Sequence, residues 1–408
     1  MSLRIFNSLS RRKERFSSSN GSVKLFVCGP TVYDYVHLGH ARTYIAFDII
    51  ARYLAFSGYK VSYLMNLTDV AEKIVKRAKD LKKAPLELAR EYEQAFLEDM
   101  RSLNIVSVDH YERASDHIPQ IIDQIKGMTA KGMAYETNTG VYFEVKKFPK
   151  FGALSGVGHE ELGLRRFELC SSKRNPEDFS LWRKHERGFG WESPWGFGRP
   201  GWHVEDTAIS MATFGDTYDL HGGASELMFP HHEAEIAQAE ALTGKQPFVR
   251  FWLHTGLLTT GGRKMSKSLG NVIRIRDALK EYSAQELRYY FGSFHYREPV
   301  RISDAALRRA RNGLQSFAKN FNTFVEAPEG AGIRNSRKLA SILYRAESAF
   351  RRHMNNDFDT PSALRTLVAL SKQLKSFTRD DSRANHESRA RIAENFRKMA
   401  SVFGILPD

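Results

Sequence analysis

The chain has 408 residues, a hydrophobic fraction of 42% and a formal net charge of +14. This apolar content excludes a wholly disordered chain, and the length favours two to four domains. The sequence has no apolar run of the ~18–20 residues that a membrane span needs and no apolar signal segment after its basic start, so we expect a cytoplasmic protein without a membrane partner. Its two cysteines cannot form a disulfide scaffold. A sequence pI near 9.6 suggests a polyanionic partner.

The first hundred residues predict a βαβ unit. Residues 23–28 resemble a short buried strand, residues 39–58 a helix that is apolar around most of its circumference, and residues 60–66 a second strand. A strand, a helix and a strand in close succession favour a parallel sheet. Two further helices are predicted at 68–82 and 85–103, with Thr68 or Asp69 capping the first of them.

The character of the sequence changes in residues 102–197. An amphipathic helix at 118–131 is followed by the alternating segment GVYFEVKKF and by a stretch rich in Gly, Arg, Pro and aromatic residues. We interpret this region as an insertion between two halves of one sheet domain. Strand and helix patterns alternate again afterwards, at TYDLHGG, HHEAEIAQAEALTG and VRFWLHTG.

The remainder of the chain, from residue 303, predicts a helical region. Its helices are expected at 303–325, 336–354, 360–377 and 389–403. Residues 301–408 hold 20 Lys or Arg against 11 Asp or Glu. This excess is compatible with solvated helix faces and with a surface that binds nucleic acid.

A first motif, His37-Leu38-Gly39-His40, directly follows the first strand. A turn from a strand into a helix directs N–H groups and the positive end of the helix dipole outward, which favours phosphate. Gly39 would let the backbone approach a nucleotide closely, and His37 and His40 could donate to phosphate oxygens. Taken alone, the motif is also compatible with histidines that cap the helix or lie on the surface.

A second motif, Lys264-Met265-Ser266-Lys267-Ser268, follows two glycines. The glycines would let the loop close on a nucleotide, and the two ammonium groups can neutralise charge on a leaving pyrophosphate. Alone, this segment is only a basic loop. The two motifs in this order, each after a predicted strand, resemble the signature of class I aminoacyl-tRNA synthetases.

Further segments narrow the resemblance to the cysteinyl-tRNA synthetase family. They are FVCGPTVYDYVHLGHART, NLTD, SKRNPEDFSLW, ESPWGFGRPGWHVE, DLHGG, FPHHEAEIAQ, KMSKSLGN and, in the helical region, NNDFDTPSAL. The resemblance implies an α/β fold: a Rossmann-like, HUP-type parallel-sheet catalytic domain in two halves, 1–101 and 198–302. A connective insertion, 102–197, would separate the halves, and an α-helical tRNA-binding bundle, 303–408, would follow. Family members generally extend further, so we expect the anticodon-reading end to be truncated.

The resemblance also implies a two-step ligase. Cysteine would be activated with ATP and Mg²⁺ to cysteinyl-adenylate and then transferred to the 3′-terminal ribose of tRNA(Cys), by a monomer. By motif match the catalytic residues are His37, His40, Lys264 and Lys267. The residues that match ATP-binding positions are His37, Gly39, His40, Lys264, Ser266, Lys267 and Ser268. The residues that match amino-acid-binding positions are Cys28, Gly29, Thr31, Thr68, Trp202, His203 and His232.

The family further carries a zinc ion that binds the substrate thiol through Cys, Cys, His and Glu ligands. Cys28, His231 and Glu235 match three of these ligands, and the last two, four residues apart, share one helix face. Asp206 stands where the family has its second Cys. Either zinc is retained in a Cys/Asp/His/Glu site, which we expect, or it is lost and Cys28 is a small buried residue. Five histidines lie in segments that should meet at this cleft: His203, His221, His231, His232 and His254.

Two other functions stay open. One is a paralogue, resembling the mycothiol-pathway ligase, that passes activated cysteine or another small amino acid to an amine acceptor other than tRNA. Asp206 and the short C-terminus keep this alternative open. The other is a tRNA-binding protein without catalysis, against which the two ATP motifs argue.

Overall fold

A computed structural model of the chain describes residues 2–18, 20–158, 171–265, 270–327, 333–378 and 386–406. The strands are β1 (Arg4–Asn7), β2 (Arg12–Arg15), β3 (Ser22–Val27), β4 (Lys60–Leu67), β5 (His110–Arg113), β6 (Ala134–Glu136), β7 (Gly140–Phe143), β8 (Phe179–Lys184), β9 (Gly198–Pro200), β10 (Tyr218–Ala224), β11 (Val249–Thr255), β12 (Leu258–Thr260), β13 (Arg263–Lys264) and β14 (Val300–Ile302). The helices are α1 (Leu38–Phe56), α2 (Glu72–Leu81), α3 (Pro85–Ser102), α4 (Ile118–Ala130), α5 (Trp202–Phe214), α6 (Glu233–Thr243), α7 (Ile275–Glu281), α8 (Ala284–Gly292), α9 (Asp304–Val325), α10 (Ile333–Met354), α11 (Thr360–Lys375) and α12 (His386–Phe403).

A five-stranded parallel sheet organises the chain before the C-terminal helical region. Its strand order is β11-β10-β3-β4-β5, and each neighbouring pair is parallel. The carboxyl-terminal halves of the inner strands β3 and β4 and most of β10 are buried on both faces, and the apolar runs in β3 and β4 predict this burial. The prediction of a parallel α/β fold is confirmed.

Helix α1 packs on this sheet and is buried almost all round. Its buried side chains include Ile45, Phe47, Ile49 and Leu54. This burial explains why the sequence shows no polar stripe along most of the predicted helix, and the observed bounds differ from the prediction by two residues or fewer at each end.

The region between the two halves of the parallel sheet forms an antiparallel sheet, with strand order β6-β7-β8-β9. Phe143 of β7 and Phe179 of β8 stack with their ring centroids 5.0 Å apart. The alternating segment GVYFEVKKF therefore supplies one strand, β7, as its pattern suggests. Strand β8 overlaps the start of the Gly-, Arg- and Pro-rich stretch and β9 lies near its end, and neither strand is predicted from the sequence.

The C-terminal region is a helical bundle of α9, α10, α11 and α12, within residues 304–403. Phe396 of α12 stacks on Phe317 and Phe321 of α9, at centroid distances of 5.3 and 4.3 Å. All four helices coincide with predicted ones, so the helical bundle is confirmed. Among the helices of the described ranges, none combines the length and apolarity needed to cross a bilayer.

Candidate active site

The strand order of the parallel sheet reverses between β3 and β10. From β3 the chain proceeds to β4 and β5 on one side, whereas β10 leads to β11 on the other. In open parallel sheets ligands bind in the crevice at the carboxyl ends of such strands. Here the crevice opens into a cavity of 480 Å³. Of the predicted site residues it is lined by Cys28, Gly29, Thr31, His37, Gly39, His40 and Trp202.

The His37-Leu38-Gly39-His40 motif forms the start of α1. His37 is the N-cap residue, and its Nδ1 accepts a hydrogen bond from Gly39 N at 3.1 Å. His40 Nδ1 in turn accepts from His37 N at 3.3 Å. A Cβ on Gly39 would lie 2.8 Å from the His37 ring, so glycine keeps this reciprocal cap possible. Both histidines therefore cap the helix and also face the cavity.

The second motif begins at the wall of the same cavity. Lys264 ends β13, which pairs with β12, and the buried Met265 lines the cavity. The side chain of Lys264 and residues 266–269, which include Ser266, Lys267 and Ser268, lie outside what the structure describes. The cavity thus extends from Cys28 to the beginning of this motif.

Asn66 connects the cavity-lining Gly29 to the buried Asp206. Its Oδ1 accepts from Gly29 N at 2.7 Å, and its Nδ2 donates to Asp206 Oδ1 at 2.7 Å. A Cβ on Gly29 would lie 1.7 Å from the Asn66 carbonyl oxygen, so only glycine allows this approach. Asn66 is not among the predicted site residues, although its place at a strand end in the NLTD segment was a usable signal.

The prediction that Thr68 or Asp69 caps the next helix is wrong. Helix α2 begins after Ala71, and no side chain caps it. Asp69 instead accepts hydrogen bonds from Ser115 and from Arg90 at 2.9 Å. Thr68 is buried beside Thr31, with which it forms an isolated parallel bridge.

The structure brings the four predicted metal ligands together. One ligand atom from each of Cys28, Asp206, His231 and Glu235 lies within 4.8 Å of the others, and all four residues are buried. His231 Nε2 lies 3.2 Å from Asp206 Oδ2 and 3.0 Å from Glu235 Oε1. An overlapping group meets the same criterion, with His221 and His232 in place of Asp206 and His231.

This cluster concentrates negative charge in a buried place. Burial raises the pKa of the Cys28 thiol well above its usual value, and the charges of Glu235 and Asp206 raise it further. Burial and then Asp206 likewise raise the pKa of Glu235. Although His231 Nε2 lies 3.0 Å from Oε1 of Glu235, neither carboxylate oxygen of Glu235 has a partner of hydrogen-bonding geometry in the described part of the chain. One sulfur, one imidazole and two carboxylates, with unused oxygens among them, fit a divalent cation such as Zn²⁺.

Of the five predicted histidines, His231 belongs to this cluster and the other four lie around it. His221 and His232 direct Nε2 at Cys28 Sγ, at 3.3 and 3.2 Å. Tyr218 Oη lies 2.6 Å from Nδ1 of His221, and His254 Nε2 lies 2.8 Å from Nδ1 of His232. Burial lowers the pKa of each of these two imidazoles well below its usual value, and lowers that of His254 to about 3, so they are neutral near pH 7. The remaining pair is joined by a 2.8 Å contact between His203 Nδ1 and His231 Nδ1.

Comparisons with known proteins agree with this arrangement. A family model described as "tRNA synthetases class I (C) catalytic domain" matches residues 15–312. This chain belongs to the cysteine–tRNA ligase family. A second model, the DALR domain, matches residues 349–407 within the helical bundle. The family places the chain among the class I aminoacyl-tRNA synthetases, which are ligases.

Curated relatives match along most or all of the chain. The "Cysteine--tRNA ligase" of Thermococcus onnurineus is 42% identical over 416 residues, which cover 100% of this chain and 87% of the relative. That of Methanococcus maripaludis is 44% identical over 383 residues, which cover 92% of this chain and 80% of the relative.

Solved structures share the fold at low identity. Mycobacterium tuberculosis methionyl-tRNA synthetase bound by methionyl-adenylate superposes with a TM-score of 0.69 at 17% identity, over 94% of this chain and 90% of that one. A leucyl-tRNA synthetase ternary complex from Agrobacterium radiobacter gives a TM-score of 0.68 at 12% identity, over 94% and 83%.

Proposed function

We propose that this chain ligates L-cysteine to tRNA(Cys) in two ATP-dependent steps. One observation carries the proposal: a single cavity joins the start of α1, with His37 and His40, to the buried cluster around Cys28. A helix start with two imidazoles suits phosphate at one end. A cluster of metal-ligating groups at the other end suits a small substrate with a thiol.

In the first step, a carboxylate oxygen of cysteine attacks the α-phosphorus of ATP. The bond between that phosphorus and the oxygen that bridges to the β-phosphate breaks, and pyrophosphate leaves with Mg²⁺. His37, His40 and the backbone N–H groups around Gly39 would hold the phosphates. Lys264 and Lys267 would neutralise the charge of the leaving pyrophosphate, and Ser266 and Ser268 would contribute hydrogen bonds to ATP. The protein then acts by positioning and by charge stabilisation.

In the second step, the terminal ribose hydroxyl of tRNA attacks the carbonyl carbon of the adenylate. The carbon–oxygen bond to the phosphate breaks, AMP leaves, and the hydroxyl proton passes to the departing phosphate. Gly29, Thr31 and Thr68 would hold the amino acid on one side of the cavity. Trp202, whose indole stacks on His231 at 4.1 Å, would form the opposite wall.

The metal proposed for this site is zinc, held by Cys28, Asp206, His231 and Glu235. When bound, zinc supplies a ligand position that prefers a thiolate to the hydroxyl of serine. Asn66 would orient Asp206, while His203 would orient His231 through its other ring nitrogen. His232 would contact the substrate beside Cys28.

The ligase interpretation is favoured over the alternatives. The curated relatives that match along the full chain carry the name cysteine–tRNA ligase, whereas no comparison supports an amine acceptor other than tRNA. That the chain acts as a monomer in the cytoplasm remains a prediction from the sequence.

The test is pyrophosphate exchange into ATP with cysteine or serine, followed by charging of tRNA(Cys). We expect exchange with cysteine alone, and charging. His40→Ala should slow exchange by about 10²–10³-fold, the scale of one lost charge-stabilising contact. The matched control is His110→Ala, because His110 is an exposed residue of β5 outside the cavity. Absence of exchange would refute the proposal, and brisk exchange without charging would favour the amine-acceptor alternative.

A further inference from the structure

A short antiparallel β-bridge joins the start of the first motif to the segment that follows the second motif. The backbone N–H of Leu38 donates to Ile273 O at 2.9 Å. The backbone N–H of Ile275 donates to Val36 O at 3.2 Å. The chain that leaves the second motif is therefore held against the residues from which α1 begins.

The ring of Tyr35, which directly precedes this bridge, contacts two guanidinium groups. The guanidinium carbon of Arg276 lies 4.1 Å from the ring centroid, and that of Arg274 lies 5.2 Å from it. Both distances fall within the ~6 Å over which an aromatic face attracts a cation. The two arginines are the chain neighbours of Ile275, whose N–H forms one of the two bridge bonds. The ring therefore holds this segment through both neighbours of a bridging residue.

Helix α3 holds the same contact from another side. Arg276 Nη2 donates to Ala95 O and to Asp99 Oδ1, each at 3.2 Å. The ring of Tyr92 meets the Tyr35 ring edge-on, with the centroids 5.2 Å apart. Neither the Tyr35 ring nor the Arg276 guanidinium can therefore shift without breaking a second contact.

Tyr35 lies outside the cavity that the proposed function assigns to ATP and cysteine. Its chain neighbours Asp34 and Val36 line this cavity, and Tyr35 does not. Its ring thus acts on the segments that carry the motifs and not on a substrate. Because a misplacement of about 1 Å can cost about 10²-fold in rate, a ring that fixes these segments bears on the reaction without contacting the reactants.

We propose that Tyr35 is a positioning residue for adenylate formation: with Arg274 and Arg276, its ring fixes the two motifs relative to each other at the phosphates of ATP. This inference rests on the proposed function. The second motif is assigned there to the leaving pyrophosphate. Transfer to tRNA follows pyrophosphate release, so transfer does not depend on the ring.

The experiment compares Tyr35→Leu with Tyr35→Phe, because phenylalanine keeps the aromatic face and leucine removes it. Pyrophosphate exchange gives kcat and the KM values for ATP and cysteine. For Tyr35→Leu we expect kcat to fall about tenfold with both KM values nearly unchanged, since the lost positioning acts in the transition state. Single-turnover transfer to tRNA, from adenylate accumulated with pyrophosphatase present, should keep its wild-type rate. Tyr35→Phe should match the wild type in both steps.

A second pair of variants tests the cationic side of the contact. Arg274 is exposed, so Arg274→Met leaves the buried part of the structure intact. It should lower kcat of exchange about two- to fivefold, the scale of an exposed cation–π contact, again without slowing transfer. The matched control is Arg345→Met on the exposed face of α10, which should change neither step. Should Tyr35→Leu fail to fold, this pair decides by the same criteria.

The outcomes separate this inference from the proposed function. Absence of cysteine-dependent exchange in the wild type would overturn the proposed function and the inference with it. Where the wild type is active, wild-type kcat in both Tyr35→Leu and Arg274→Met would overturn the inference alone. Equal losses in exchange and transfer would also overturn it, because the ring would then support the whole fold. A Tyr35→Phe variant as slow as Tyr35→Leu would do the same, since the hydroxyl and not the ring face would then be responsible.

Discussion

Asp206 is held from two sides by its neighbours. Asn66 donates to one carboxylate oxygen at 2.7 Å, and His231 Nε2 lies 3.2 Å from the other. A carboxylate in place of a thiolate makes the ligand set harder, which suits zinc less well. The cluster therefore brings four metal-ligating groups together, and we expect it to bind zinc more weakly than the Cys-containing set that the family resemblance implies.

We predict that Asp206→Cys tightens zinc binding on the order of tenfold, a difference of about 1.4 kcal/mol, and that Asp206→Ala weakens it. Zinc content after dialysis against a graded series of chelator concentrations measures both effects without an activity assay. Asp123→Cys is the control for adding a thiol, because Asp123 is an exposed residue of α4. Equal zinc retention by all variants would argue that Asp206 is not a ligand.

At the same scale, the sequence predicts which residues of the site come together. It does not predict the hydrogen bonds that orient their side chains. Cys28, Asp206, His231 and Glu235 converge because each lies at a strand end or helix start that the parallel sheet brings to one edge. The hydrogen bond that orients Asp206 comes from Asn66, 140 residues away. Such a partner depends on side-chain packing between elements, for which a single sequence carries no periodic signal.

At the scale of elements, the apolar periodicity of the sequence predicts most of the helices. The predictions are wrong at the start of α2 and at two strands of the antiparallel sheet. The apolar pattern places α1, α9, α10 and α11 almost correctly, because each buries a face or more against the sheet or the bundle. The start of α2 is missed because Asp69, a good capping residue, is bound by Ser115 and Arg90. Strand β9, with the sequence GRP, is missed because glycine and proline obscure alternation. Strand β8, with the sequence FSLWRK, is missed because its first four residues are all buried and show no alternation.

A buried ion pair joins α1 to α8. Asp48 and Arg288 are both fully buried and paired, and Arg288 Nε donates to Phe403 O of α12 at 2.7 Å. Burial raises the pKa of Asp48, but Arg288 and then Arg52 outweigh this effect, so that the pKa is lowered overall. The pair therefore ties three helices together only while Asp48 is ionised.

We predict that Arg288→Met lowers the free energy of unfolding by about 3–5 kcal/mol near neutral pH, because it leaves a buried charge unpaired. Because the folded pKa of Asp48 is lowered, its stabilisation is complete above the unfolded value of about 3.9 and is lost as pH falls through the folded pKa. The loss of unfolding free energy in the variant, relative to the wild type, should thus become smaller as the pH falls.

Denaturant titrations at several pH values check this prediction. The control is Arg345→Met, an exposed position on α10, which should change stability by less than about 0.5 kcal/mol at every pH. A deficit that is independent of pH would show that Asp48 ionisation does not contribute.

At the scale of the whole molecule, the loop between α10 and α11 connects the helical bundle to the rest of the chain through hydrogen bonds. Asp357, between α10 and α11, is fully buried and accepts hydrogen bonds from Phe6 N and Tyr296 Oη, each at 2.8 Å. Its other oxygen accepts from Arg297 Nε at 2.9 Å. Its backbone N–H donates to Arg4 O at 2.8 Å. The N-terminal hairpin, the segment after α8 and the bundle therefore share a single carboxylate.

We predict that Asp357→Asn lowers the free energy of unfolding by about 1.5–3 kcal/mol, the range for a hydrogen bond to a charged group. Asparagine tolerates the left-handed backbone found here, with φ of 63°, so the substitution tests the charge and not the backbone. Asp359→Asn is the matched control: Asp359 caps α11 through Ser362 N at 3.1 Å, and asparagine caps a helix about as well as aspartate. Denaturant unfolding and hydrogen exchange at the Phe6 amide measure the effect. Equal behaviour of the two variants would mean that the junction does not depend on the Asp357 charge.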